Sequence, residues 1–155
     1  VAIAGVIAGF YWLLMLVGRL TSAFISGAVS SRAQLTTVSA VALLLLLAAI
    51  FMPETSTITL AGANVPFKVA LIVACGLCTS VMWGVVFNLA TEGLGKYTAA
   101  ASGLFMTMVV GGGVMPFIQN ITADQIGDIN SYWIVVAMLA YMLFYALIGS
   151  KPAKK

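Results

Sequence analysis

An all-α membrane protein built from five transmembrane helices is what the sequence predicts, on three observations. Of its 155 residues, 63% are apolar and only 7% are charged, and the mean hydropathy is +1.14. Soluble domains carry about 25% charged residues, so a water-soluble globule would leave large apolar patches facing water. The apolar residues gather in five segments, roughly 1–28, 35–52, 67–90, 99–121 and 132–149, each near the about 20 residues that cross a hydrocarbon core. Runs such as Val41 to Ile50 are apolar on every face, which excludes the period-2 alternation of a transmembrane barrel and leaves helices as the spanning solution.

Arg19 is the one charge well inside the first segment; if its helix ends early, near Ser22, Arg19 lies in the last turn, where the helix dipole favours a cation. A charge held in lipid costs at least about 2.5 kcal/mol, so Arg19 faces the bundle interior or snorkels to a head group. A gating or helix-packing role fits it better than substrate contact. Ser30-Ser31-Arg32 makes the first connector and Pro53 to Pro66 the second. The third span carries Ser80, Trp83 and Phe87 at spacings of three and four, which share one helix face. Asn88 lies about 80° from Ser80 and about 140° from Trp83 around the helix, at the edge of that face. An indole beside a hydroxyl suits a pyranose, whose C–H face packs on an aromatic ring while its hydroxyls need donors and acceptors. Packing between helices, or membership of an interfacial aromatic belt, is the alternative for Trp83.

Cys75 and Cys78 lie inside the same apolar span and read as small packing residues, with no electropositive neighbour to activate a thiolate. Glu92 to Thr98 reads as a tight turn in which glycines supply positive φ and Glu92 sits four residues before Lys96. The fourth span contains Gly111-Gly112-Gly113 and Pro116. Glycine costs about 1 kcal/mol relative to alanine inside a helix and proline removes a donor, so this span is expected to bend or to admit a close neighbour. Asp124 to Asn130 forms the fourth connector.

Lysine and arginine concentrate on the cytoplasmic side of membrane proteins. Arg32 marks the first connector, Lys96 the third, and Lys151, Lys154 and Lys155 the tail, while Lys68 borders the second. The alternation places the first and third connectors and the C-terminus in the cytoplasm. Five spans then put Val1 outside. With neither a basic leader nor an initiator Met, the sequence reads as a fragment. There is no histidine, and the carboxylates number four, Glu54, Glu92, Asp124 and Asp128, so neither an enzyme nor a metal centre is expected. Three of the seven cations lie in the last five residues, a tail and not a stripe for nucleic acid.

The order of these features resembles the C-terminal half of a major facilitator sugar permease of the fucose:proton symporter family, which includes bacterial glucose/galactose transporters. Gly18-Arg19 with Thr21 resembles that family's eighth helix, Met82 to Ala90 the end of its tenth, and Gly93 to Thr98 the loop that follows. Ala101-Ser102-Gly103 and Met106 to Pro116 are similar to its glycine-rich eleventh helix, and Asp124 to Ile129 to the loop before its twelfth. Trp83-Gly84 departs from the aromatic-proline pair usual there. The resemblance implies helices 8 to 12 of a transporter in a bacterial inner membrane, and proton-coupled uptake of fucose, glucose or galactose by alternating access. It implies a small-molecule sugar and the lipid bilayer as partners, protons as coupling ion and no other cofactor. The N-terminal helical half, where the proton-coupling acids lie, is absent. Trp83 becomes the sugar-stacking residue, with Ser80, Phe87 and Asn88 beside it. Arg19, Gly111, Gly112, Gly113 and Pro116 serve gating or helix packing. The rival is a non-transporting multipass structural or assembly subunit, which predicts Trp83 packed on neighbouring helices, whereas a transporter predicts a polar cavity beside it.

Overall fold

The computed structural model describes residues 2–53, 56–60 and 63–150. Glu54 and the tail cations Lys151, Lys154 and Lys155 lie outside the described residues. Five helical spans are long and apolar enough to cross a membrane, so this is an all-α multipass membrane protein. Helix α1 covers Ala2–Ile25 and α2 covers Ser31–Phe51. A hairpin follows, β1 (Thr57–Leu60) paired antiparallel with β2 (Ala63–Pro66) in the register Thr57 to Pro66 and Leu60 to Ala63. Helix α3 covers Phe67–Thr91. The fourth span is divided into α4 (Thr98–Met108) and α5 (Gly111–Ile126), and a short α6 (Asp128–Ser131) leads into α7 (Trp133–Phe144), which ends in a wide π turn, Tyr145–Gly149.

The core lies where α2, α3 and α7 meet. Leu35, Ala42 and Leu46 of α2, Cys78, Val81 and Val85 of α3, and Leu139 of α7 are all buried there. Alanines and cysteines on these faces let the helix axes approach, which matters in lipid because packing drives helix association where water does not. Cys75 and Cys78 are free and buried, and the Cys75 thiol points at Ala42 O, 3.7 Å away. They pack, as their surroundings in the sequence require.

Helix α1 joins through α3, at two glycines. A Cβ on Gly18 would come within 2.5 Å of Leu77 O, and one on Gly76 within 2.7 Å of the Tyr11 ring. The α1–α2 connector is fastened by Gln34, which is buried. Its amide donates to Val29 O at 2.9 Å, and its carbonyl accepts from the Ser22 hydroxyl at 3.2 Å. Ser30 caps α2, its hydroxyl accepting from Ala33 N.

Several element ends differ from expectation. Helix α1 runs to Ile25, so Arg19 is more than a turn inside its end, exposed, beside the buried Gly18. The connector 53–66 carries a hairpin, tied across by the Thr59 hydroxyl to Asn64 Oδ1 at 3.1 Å. The turn at Glu92 to Thr98 has the positive φ expected of its glycines, +76° at Gly93 and +50° at Gly95. Lys96 stands over the Tyr97 ring, 5.2 Å from its centre, a cation–π contact in place of the expected pairing with Glu92.

The fourth span does break, but upstream of Pro116, at Val109–Val110. There the ladder tightens to i→i+3 bonds, Gly112 N to Val109 O at 2.8 Å and Gly113 N to Val110 O at 3.0 Å. Pro116 stays inside α5. Its ring crowds the Gly112 carbonyl and it offers that carbonyl no donor, and the three glycines just before absorb the adjustment. Cβ atoms on Gly111, Gly112 or Gly113 would meet nothing within 4 Å. Among the described residues these glycines lie at the bend, with open space beside them.

Candidate functional site

The residues singled out on α3 divide between two neighbours. Trp83 and Phe87 turn toward α4 and close around Phe105. The Trp83 and Phe105 rings are 5.2 Å apart at 63°, and the Phe87 and Phe105 rings 5.3 Å apart at 79°. Both are edge-to-face, the arrangement that aromatic quadrupoles favour. Trp83 remains 43% exposed, so part of its indole is open. Asn88 is exposed at the end of the same helix.

Ser80 belongs elsewhere. It is 3% exposed, pressed against Gly18, and its hydroxyl donates to Leu77 O at 2.8 Å within α3. The spacing of three to Trp83 is a rotation of about 60° on the helix, enough to carry Ser80 into the α1 contact while Trp83 turns to α4. The hydroxyl has its acceptor and no open space. The aromatic part of the expected face is therefore assembled, and the hydroxyl part is not. Phe105, which the sequence reading passed over, completes the aromatic group. It was legible only as one of several bulky residues on α4.

A hollow lies along the same face of α3, beginning one turn before Trp83. A cleft of about 1010 Å³ is lined by Tyr11 and Trp12 of α1, Leu46 of α2, Lys68 and Thr79 of α3, and Asp128, Asn130, Tyr132 and Leu139 around α6 and α7, among others. Its lower wall is apolar. Near mid-span the Tyr11 hydroxyl and Thr79 Oγ1 are 3.4 Å apart, and Thr79 also donates to Gly76 O at 3.2 Å. At the mouth, Lys68 is only 9% exposed. The aromatic group of Trp83 is not part of this lining. A signal for the cleft does exist in the sequence: Lys68, Ile72, Cys75 and Thr79 follow the i, i+4, i+7, i+11 spacing of one helical face.

Arg19 touches neither feature; it projects from α1 at the Gly18 end, on the exposed side. Gly111 to Gly113 and Pro116 lie at the bend of a span that has no buried residue among those described. The site residues expected from the sequence thus lie apart: Trp83 and Phe87 in the aromatic group with Asn88 at the end of their helix, Ser80 in the α1–α3 contact, Arg19 on the exposed side of α1, and Gly111 to Gly113 with Pro116 at the α4–α5 bend.

No family profile and no solved structure matches the chain. Among curated proteins, a glucose/galactose transporter of Brucella abortus is 41% identical over 80 residues, 52% of this chain and 19% of its own length. A protein of Helicobacter pylori named as a putative glucose/galactose transporter is 36% identical over 81 residues, 49% of this chain and 20% of its own length. The matched stretch spans about a fifth of the length of these relatives. Over about half its length, this membrane-spanning chain is similar to bacterial glucose/galactose transporters.

Proposed function

We propose that this chain is one helical wall of a sugar transporter, and that a hexose is held against Trp83 as the transporter alternates between outward- and inward-facing states. The observation that carries the reading is the similarity to glucose/galactose transporters at 36 to 41% identity, set on a five-span helical bundle. The chemistry of the aromatic group is compatible with it. A half-open indole, fixed at its edge by Phe105, offers a rigid surface to the C–H face of a pyranose. Ser80 stays on the protein side, holding the helix contact beneath Trp83.

In this reading the fucose, glucose or galactose is carried with protons into the cell across a bacterial inner membrane, by rocking of two helical halves about a site near the midplane. A second helical half packs against the faces that α1 and the α4–α5 span leave open, and it supplies the proton-carrying acids. Arg32 and Lys96 then stand on the cytoplasmic side, and the bend at Gly111 to Gly113 lets α5 tilt as the halves rock. Against a non-transporting subunit stands the relatives' transport function. The contact of Trp83 with Phe105, and its place outside the cleft lining, match what the non-transporting role leads one to expect; the transporter reading is supported by the relatives' names and by the open part of the indole.

The test is intrinsic fluorescence of the complete transporter in nanodiscs. Trp83 is one of three tryptophans in the chain. Glucose, galactose or fucose is expected to quench or shift its emission saturably, and Trp83→Phe to abolish that response while Trp12→Phe and Trp133→Phe retain it. A saturable response that survives Trp83→Phe overturns the assignment of the indole.

A further inference from the structure

Arg32 occupies the second position of α2, where a cation opposes that helix's own dipole. Its guanidinium leaves the helix and reaches the end of α7. Nε donates to Ala146 O at 2.9 Å and Nη2 donates to Leu147 O. At a helix C-terminus the carbonyls carry the partial negative charge, so the same cation that is misplaced for α2 is well placed for α7. Two donors on one planar fork meeting two successive carbonyls is geometry that arginine offers and lysine does not.

The Ala146 carbonyl is available because the last turn of α7 is wide. The Ser150 N–H bonds Tyr145 O, five residues back, at 2.8 Å. In an α turn it would bond Ala146 O. Ala146 O instead accepts from Arg32 and from the Ser150 hydroxyl, at 2.8 Å. A second feature fits the wide turn independently. The Tyr145 ring folds over Gly149, where a Cβ would lie 2.8 Å from ring carbon Cδ2. Tyr145 is in turn packed on the core, so glycine is the residue that lets the ring lie there.

We propose that Arg32 and the 145–149 turn form a two-position latch. When closed, the guanidinium caps Ala146 and Leu147 and the turn is wide, which fastens the start of α2 to the end of α7. When open, Arg32 is withdrawn and the turn contracts to α bonding, with the Ser150 N–H returning to Ala146 O. Contraction removes one residue from the turn, so the chain beyond it is rotated by about 100°. The latch thus couples the position of α2 to the direction in which the polypeptide leaves α7. It is independent of any substrate.

The test is solid-state NMR of the chain in lipid bilayers, with nitrogen-15 in the arginine side chains and carbon-13 at the Ala146 and Leu147 carbonyls. The Ala146 carbonyl carbon is expected within about 4 Å of an arginine Nε, as a normal N–H···O bond to a C=O of about 1.23 Å requires. In Arg32→Ala that contact is lost and the backbone carbon shifts of residues 145–150 move to α-helical values, while those of Tyr11 and Thr79 stay in place. Absence of the contact in the wild type, or unchanged shifts at 145–150 in Arg32→Ala, overturns the latch. Should Arg32→Ala fail to fold, Gly149→Ala decides the matter. By displacing the Tyr145 ring it is expected to contract the turn and weaken the Arg32 contact, and a retained wide turn counts against the proposal.

Discussion

Replacing Gly18 and Gly9 in turn by alanine asks whether α1 is held to the bundle by backbone proximity. The two glycines lie on the same helix, but the Gly18 Cβ would stand 2.5 Å from Leu77 O whereas a Cβ on Gly9 meets nothing within 4 Å. Alanine in a helix interior gains about 1 kcal/mol over glycine at either position, so that gain cancels in the comparison. What remains at Gly18 is overpacking against a carbonyl fixed in α3, which no rotamer change relieves, and forced overpacking costs about 1–3 kcal/mol. Gly9→Ala is therefore expected to stabilise by about 1 kcal/mol, and Gly18→Ala to fall below it by about 1–3 kcal/mol. Gly76→Ala should lie between them, because its Cβ meets first the movable Tyr11 ring and then Tyr11 O at 3.2 Å. Truncating that ring in Tyr11→Leu should recover part of the Gly76→Ala loss and none of the Gly18→Ala loss. Reversible unfolding in mixed micelles, titrated with a denaturing detergent, gives the free energies. Equal stabilisation by Gly18→Ala and Gly9→Ala would refute the close α1–α3 contact.

Other outcomes follow from single contacts. Ser39 is fully buried and, among the described residues, its hydroxyl has no hydrogen-bond partner, so Ser39→Ala should leave stability unchanged or raise it by up to about 1 kcal/mol in the same titration. Because the Ser80 hydroxyl is bonded inside α3, Ser80→Ala should leave sugar uptake within about twofold of wild type, while Trp83→Ala should lower it by up to about tenfold, the loss of one aromatic stacking contact of up to about 1.5 kcal/mol. Cys78, buried in the helix interface and outside the cleft lining, should resist a membrane-permeant maleimide in the folded protein and react fully after denaturation, as mass spectrometry will show. Gly93→Ala places a side chain at φ +76° and should cost about 1 kcal/mol without altering the spans.

The number and order of the spans were legible because burial in lipid demands apolar residues on every face, and a stretch such as Val41 to Ile50 satisfies that demand without reference to its neighbours. The glycines at 93 and 95 and the weak point near 111–116 were legible for the same reason, since they act on the local backbone. Places decided by partners were not. Ser80 and Trp83 share a face on a helical wheel, yet α1 lies against one and α4 against the other, and a wheel holds no information about which helix comes alongside. The break before Gly111, displaced from Pro116, depends on how the tightened bonds at Val109 and Val110 distribute the crowding of the proline ring. Residues 57–66 contain Thr, Asn and Pro in a stretch that reads equally as loop or hairpin. Arg32 looked like a topology signal, and its capping of α7 required two segments more than a hundred residues apart to meet.

The central claim is sugar transport, and uptake of radiolabelled glucose, galactose and fucose into proteoliposomes holding the complete transporter tests it most directly. Saturable uptake of at least one of these sugars is expected, driven by an inward proton gradient and collapsing when a protonophore dissipates it. A correctly inserted protein that moves none of them, with or without the gradient, contradicts the account.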